Sequence, residues 1–258
     1  MNEIQKLLEV MDMLRGENGC NWDKQQTHES LSPYALEEAY EVVDAIESGD
    51  RKHLKEELGD LLFQVIFHSK IAAENGEFSF SDVVEGIVEK LVRRHPHVFG
   101  TAQDLTPDEV LKNWELIKAK EKRSTVRDSL LDGIPISMPA VIRSEKLQSK
   151  ASSVGFDWEN ARGVLDKIRE ECDELEREIG ESNVSQERIL EEWGDLIFSL
   201  VNLARFLKIN PEQGIRSTNR KFEKRFREME KLSPKQMKDL TSDEWEDLWQ
   251  KSKKQDSL

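Results

Sequence analysis

Two stretches of the chain share one pattern of apolar and polar positions. In "LEEAYEVVDAIESGD", residues 36–50, Leu36, Tyr40, Val43 and Ile46 recur at three- and four-residue intervals, which predicts an amphipathic helix. In "IREECDELEREIGES", residues 168–182, Ile168, Cys172, Leu175 and Ile179 do the same. Each stretch ends in a turn bearing glycine and serine. Each is followed by a run that is apolar on most sides, "LGDLLFQVIFHSKIA" (58–72) or "WGDLIFSLVNLARFL" (193–207), and such a run predicts a buried central helix. Polar turns come next, "ENGEFSFSD" and "KINPEQG". Helices carrying basic clusters follow them, "EKLVRRHPHVF" and "NRKFEKRFREME". Late in each stretch a tryptophan stands four residues before a lysine: Trp114 with Lys118, and Trp249 with Lys253.

The best-preserved piece of this repeat is an octapeptide. "EELGDLLF" at 56–63 returns as "EEWGDLIF" at 191–198, identical at six of eight positions and displaced by 135 residues. Alternation of β-branched residues is almost absent, so the expected fold is all-α, two homologous helical bundles in tandem. The expected domains are residues 1–125 and 140–258. Residues 126–139, with Pro135 and Pro139 as breakers, form the expected linker.

Composition narrows the functional classes. The 258 residues are 37% hydrophobic, enough for a core, and 35% charged, as amphipathic helices require. No apolar run approaches the roughly 18 residues of a membrane span, and the N-terminal segment carries acids and lysine within its apolar spacing. Two cysteines, Cys20 and Cys172, have no metal spacing, so the expected setting is the reducing cytoplasm. The net charge of −14 argues against unassisted binding to a nucleic-acid polymer. A phosphorylated small molecule remains accessible where a divalent cation supplies positive charge.

Each copy carries four acids that the fold can gather. The first has Glu38 and Glu41, then Glu57 and Asp60; the second has Glu171 and Glu174, then Glu192 and Asp195. Positions i and i+3 share a helix face, and an antiparallel hairpin would bring two such pairs into one patch. A single acid pair is ordinarily a solvated helix face. Here the second pair leads directly into a nearly all-apolar helix, and the arrangement occurs twice in the same order. Four neighbouring carboxylates repel unless a cation or protons compensate them. Hard oxygen donors without cysteine or histidine favour Mg²⁺, with Mn²⁺ the alternative, over zinc. All five histidines lie before residue 98 and none follows a glutamate at i+3, so a di-iron bundle of Glu-x-x-His pairs is not expected. Gly59 and Gly194 interrupt the second helix of each copy at a cost of about 1 kcal/mol relative to alanine. Their reuse predicts close packing by another helix, or failing that by a ligand.

Cations and aromatics complete the candidate set. Lys90 with Arg94, and Lys221 with Arg225, are i, i+4 pairs able to grip phosphate oxygens or to complement a helix dipole. Trp114 and Trp249 either stack on a base or pack. One turn before each acid pair the copies differ. The first has Tyr34 and His53, the second Lys167 and Arg188, which would help hold a triphosphate or merely form i, i+4 ion pairs. On this difference the second copy is expected to be the hydrolysing unit.

The pattern Glu37-Glu38-x-x-Glu41, fifteen residues, then Glu57-x-x-Asp60 resembles the signature of the MazG family of all-α nucleoside triphosphate pyrophosphohydrolases. The second copy, Glu170-Glu171-x-x-Glu174, seventeen residues, then Glu192-x-x-Asp195, resembles it equally. "GCNWDKQQTHESL" is similar to that family's Gly-Cys-Pro-Trp-Asp segment, with Asn21 in place of the proline, and "RRHPHVF", "VGFDW" and "KFEKRFRE" also match. The resemblance implies Mg²⁺-dependent cleavage of nucleoside triphosphates between the α- and β-phosphates, giving a nucleoside monophosphate and pyrophosphate. It also implies a homodimer. By this analogy Glu171, Glu174, Glu192 and Asp195 bind metal, and Glu171 and Glu192 are the catalytic candidates. Glu191, Lys221, Arg225, Trp249 and Lys253 contact nucleotide, beside Lys167 and Arg188. The first copy keeps Glu38, Glu41, Glu57, Asp60, Lys90, Arg94, Trp114 and Lys118, so its inactivity does not follow. Two other readings stand: a hydrolase of narrower range, acting on a non-standard nucleotide or an alarmone, and a non-catalytic helical module whose acids bind structural metal.

Overall fold

A computed structural model describes residues 2–100, 105–123, 129–181 and 184–255. Within the helix at 107–123, the side chains of 111, 115, 118–120 and 122–123 fall outside the description. The chain divides into two compact units, Met1–Ser124 and Thr125–Leu258. Among the described residues there is no strand, and no helix is long and apolar enough to cross a membrane.

The first unit contains α1 (Glu3–Arg15), α2 (Asn21–Gln25), α3 (His28–Ser48), α4 (Arg51–Glu74), α5 (Phe80–Arg94), α6 (Pro96–Phe99) and α7 (Pro107–Arg123). Its centre is the α3/α4 hairpin. Thr27 opens α3 with a reciprocal capping box to Ser30, which satisfies two of the donors left over at a helix start. Gly49 closes α3 at φ 76°, a left-handed conformation that costs glycine nothing. Asp50 follows at once and accepts from the backbone N–H groups of Lys52 and His53 to begin α4. Because the turn is so short, α3 and α4 must run antiparallel side by side, and that places the two acid pairs across from each other. Met11, Leu31, Ile66, Phe67 and Ile71 form the core, with Leu7, Leu8, Leu62, Phe63 and Phe80 packed around it. Arg15 crosses this core's edge, its guanidinium 5.4 Å from the Phe67 ring centre and 2.7 Å from Glu74.

The second unit contains α8 (Ala140–Ser152), α9 (Ala161–Gly180), α10 (Gln186–Phe206), α11 (Pro211–Leu232) and α12 (Ser242–Gln255), with a 3₁₀ turn at Met237–Asp239. The corresponding hairpin is α9/α10, capped by Asn160 and Ser185. Val164 of α9, Val201 of α10, Met229 of α11 and Leu248 of α12 are buried apolar residues of this unit. From α8, Gln148 donates a 2.8 Å hydrogen bond to the Phe198 carbonyl of α10.

Three features differ from the sequence expectation. The α4 helix is buried along one side, at Gln64, Ile66, Phe67, Ser69, Ile71 and Ala72, whereas α10 buries only Ser199 and Val201. Trp193, Phe198 and Leu200 are each more than two-fifths exposed, because the helices of this unit cover only part of α10. Lys221 and Arg225 do not end a helix: α11 continues to Leu232, so for them a role as dipole partners falls away. Of the segment 126–139, residues 126–128 lie outside the described residues. The remainder sits with the second unit, where Ile134 is buried and Lys150 donates to the Asp132 carbonyl.

Candidate metal and nucleotide site

In each hairpin three of the four expected acids converge. The carboxylates of Glu38 and Glu41 from α3 and Glu57 from α4 offer oxygens that all lie within 4.8 Å of one another. Glu171 from α9 with Glu192 and Asp195 from α10 do the same. The fourth member stands close by in charge if not in contact: Asp60 acts on Glu38, and Glu174 on Glu192.

The electrostatics are those of compressed negative charge. Burial, then Asp60 and Glu41, push the Glu38 carboxyl above its ordinary pKa, against a hydrogen bond from Gln64 that favours the ionised form. Glu57, 7% exposed, is pushed up by burial and then by Glu41. Glu192 is pushed up by burial and then by Glu174, Glu171 and Asp195. Desolvation and like charge thus act together, and a divalent cation would relieve both. Oxygen-only donors at this spacing fit Mg²⁺ or Mn²⁺.

The cations flanking the acids have settled differently in the two copies. Lys167 Nζ lies 2.6 Å from Glu171 and 2.9 Å from Glu170, and these two hydrogen bonds hold its ammonium above the usual lysine range. Arg188, one turn before Glu192, reaches across the hairpin instead to Glu178 at 2.9 Å. Glu178 is 3% exposed and was missed by the sequence reading, although it lies two turns beyond Glu171 on the same face of α9. The matching residue of the first copy is Ala45, also buried. With no acid there to reach, His53, the counterpart of Arg188, turns back onto Glu57 at 3.0 Å.

The nucleotide candidates also part company. In the second unit Arg225 and Lys253 lie 5.6 Å and 5.5 Å from the Trp249 ring centre, with Phe222 at 5.8 Å. Arg225, Trp249 and Lys253 therefore form one cation–aromatic cluster on α11 and α12, while Lys221 and Glu191 are exposed. In the first unit Arg94 and Arg93 both grip Glu121, at 2.5 Å and 2.7 Å, and hold its carboxyl down at about 2. Glu121 carries no signal in the repeat. Trp114 lies 6.0 Å from His95 between ring centres, Lys90 is exposed, and the Lys118 side chain lies outside the described residues.

The glycines of the octapeptide overturn the helix-packing expectation. A Cβ built on Gly59 or Gly194 meets nothing within 4 Å, so neither residue is there to admit a neighbouring helix of its own unit. Gly194→Ala is accordingly expected to stabilise the chain by about 1 kcal/mol, the difference in helix propensity, read as a melting temperature raised by a few degrees. A lowered melting temperature would show that the position is closely covered after all.

Comparison with known proteins finds the repeat as well. A family model described as the MazG nucleotide pyrophosphohydrolase domain matches twice, over residues 26–99 and 160–229. A nucleoside triphosphate pyrophosphohydrolase of Escherichia coli strain K12 is 45% identical over 260 residues, spanning 99% of both chains. A nucleoside triphosphate pyrophosphohydrolase/pyrophosphatase MazG of Thermotoga maritima is 44% identical over 253 residues, 97% of this chain and 95% of its own. The crystal structure of a mazG-related protein from Thermotoga maritima covers 45% of this chain and 98% of its own, at 26% identity and a TM-score of 0.40.

Proposed function

The chain belongs to the MazG nucleotide pyrophosphohydrolase family, and from that membership we propose that it hydrolyses nucleoside triphosphates between the α- and β-phosphates, using Mg²⁺ held by its acid clusters. The observation that carries this reading is the three-carboxylate cluster built twice from carboxylates alone. Water attacks the α-phosphorus, the bond from that phosphorus to the α,β-bridging oxygen breaks, and pyrophosphate leaves with that oxygen. A bound Mg²⁺ or Mn²⁺ supplies charge neutralisation for the phosphate oxygens and for the departing pyrophosphate.

The chain's own residues do the rest. Glu171, Glu174, Glu192 and Asp195 hold the cation on the second hairpin, as Glu38, Glu41, Glu57 and Asp60 do on the first. Glu192 takes the proton of the attacking water. It stands at the start of the apolar run of α10, in the cluster with Glu171 and Asp195, where a positioned carboxylate can accept a proton from a neighbouring water. Glu171, held by Lys167 at 2.6 Å before substrate arrives, is the second catalytic carboxylate. No serine or cysteine nucleophile is required.

One observation supports the second copy as the principal catalyst. Its cations Arg225 and Lys253 are gathered around Trp249, an arrangement that offers phosphate donors beside a ring able to stack on any base. The exposed Trp193, Phe198 and Leu200 of α10 support a homodimer in which a second copy covers this helix. Substrates are nucleoside triphosphates, not nucleic-acid polymers.

Release of pyrophosphate from a panel of ribo- and deoxyribonucleoside triphosphates, with Mg²⁺ and with excess chelator, tests the reading. Release that depends on Mg²⁺ is expected, with monophosphate as the second product. Inorganic phosphate in place of pyrophosphate would overturn the cleavage position. No turnover of any nucleotide at micromolar enzyme would overturn the enzymatic reading.

A further inference from the structure

The same carboxylate position is held by different groups in the two copies. Glu171 is gripped by the ammonium of Lys167 at 2.6 Å. At the matching place in the first copy stands Tyr34, and Glu38 is instead within hydrogen-bonding reach of the Gln64 side-chain amide. Gln64 lies one turn after Asp60 and two turns after Glu57 on α4, and its counterpart in the second copy is Ser199. Gln64 is 7% exposed, and its Oε1 is buried with no hydrogen-bond partner.

A carboxamide has two faces: the nitrogen donates and the oxygen, on the same carbon, accepts. The donor end of Gln64 lies toward Glu38, whose ionised form it favours. Its acceptor end, on a residue one turn of α4 beyond Asp60, is buried without a partner, and a buried acceptor is ordinarily satisfied. An uncharged carbonyl oxygen is also a donor that Mg²⁺ and Mn²⁺ accept alongside carboxylates. An ammonium cannot serve this way, since it has no lone pair to give and must yield when a cation takes over the carboxylate it holds.

We propose that Gln64 is an additional member of the first acid site, orienting Glu38 and presenting its amide oxygen to the divalent cation, so that the first copy holds a cation without nucleotide more tightly than the second. This rests on the proposed metal-dependent activity. The first site is then a standing cation site, while the second, with Lys167 in place, takes its cation most readily together with the phosphates that draw Lys167 away.

The test is Mn²⁺ binding, followed by the electron paramagnetic resonance signal of the free ion, to the full chain with its second site disabled by Glu192→Gln and Asp195→Asn. Gln64→Met, which keeps the volume and removes the amide, is expected to weaken binding about tenfold or more, the usual range for lost outer partners and ligands. Gln64→Glu is expected to bind at least as tightly as the parent, because a carboxylate oxygen replaces the amide oxygen. The unmutated chain is expected to bind a first equivalent more tightly than a second. Affinity of Gln64→Met within twofold of the parent overturns the inference, as does Gln64→Glu binding more weakly, a comparison that holds even where the methionine variant fails to fold. Absence of Mn²⁺ binding by the parent would instead overturn the metal-dependent reading itself.

Discussion

Glu192→Gln is expected to lower the rate of pyrophosphate release at saturating Mg²⁺ by about 10²-fold or more, the range found when a positioned proton acceptor is lost, whereas Glu57→Gln leaves more than half of it. Glutamine keeps the shape of the side chain and removes its charge, so the comparison isolates the carboxylate. Folding does not confound it. Glu192 is pushed above its ordinary pKa by burial and by Glu174, Glu171 and Asp195, so neutralising it relieves repulsion in the metal-free chain. The variant should melt no lower than the parent in chelator. The two replacements fall at equivalent octapeptide positions, which makes each the control for the other. If Glu57→Gln alone abolishes turnover, the first copy is the catalyst and the preference for the second is wrong. If each change halves the rate, both copies work independently.

What could be read from the sequence was set by local physics. The hairpins were legible because the apolar spacing of each first helix, the turn bearing glycine and serine that ends it, and the apolar run that follows are consecutive in the chain. The acid clusters were legible because i, i+3 pairs have only one face to occupy once the hairpin closes. Partner choice was not legible. Arg188 could have met Glu192 one turn away, yet it crosses to Glu178, and that depends on which way the hairpin presents a buried acid. Arg94 similarly meets Glu121, 27 residues further on, with no periodicity to announce it. Gln64 sits inside an apolar run and looks like a tolerated polar residue until burial and an orphaned oxygen set it apart. Gly59 and Gly194 stand out in the sequence as helix-interior glycines, but their open surroundings are a fact of packing, and that sequence spacing does not encode. The alternation of charge around the sites was therefore visible, while the pairing that decides which charges remain available for a substrate was not.

Mg²⁺ is expected to raise the melting temperature by several degrees at pH 7.5 and by much less near pH 5. Glu38, Glu57 and Glu192 all have carboxyls raised above the ordinary 4.5. A raised value in the folded chain means that the native state binds the proton more tightly than the unfolded state does. Their contribution to stability is therefore complete below about 4.5, the unfolded value, and is lost as pH rises through the raised values. Other carboxylates act in the opposite sense: Glu121 and Glu244 are held down at about 2 by Arg94 with Arg93 and by Lys235, and their contribution persists until the pH is far lower. The overall pH profile thus mixes both signs, and the increment on adding Mg²⁺ is the cleaner measure. At neutral pH the clustered acids are ionised and repel one another, and a cation present at a hundredfold excess over its dissociation constant adds about 2.7 kcal/mol per site. Near pH 5 protons compete for the same oxygens, so the increment shrinks. Thermal unfolding in chelator and in millimolar Mg²⁺, at the two pH values, reads it directly. Combining Glu57→Gln with Glu192→Gln should remove most of the increment at pH 7.5. An equal increment at both pH values, or one that survives the double replacement, would place the stabilising cation somewhere other than the two hairpins.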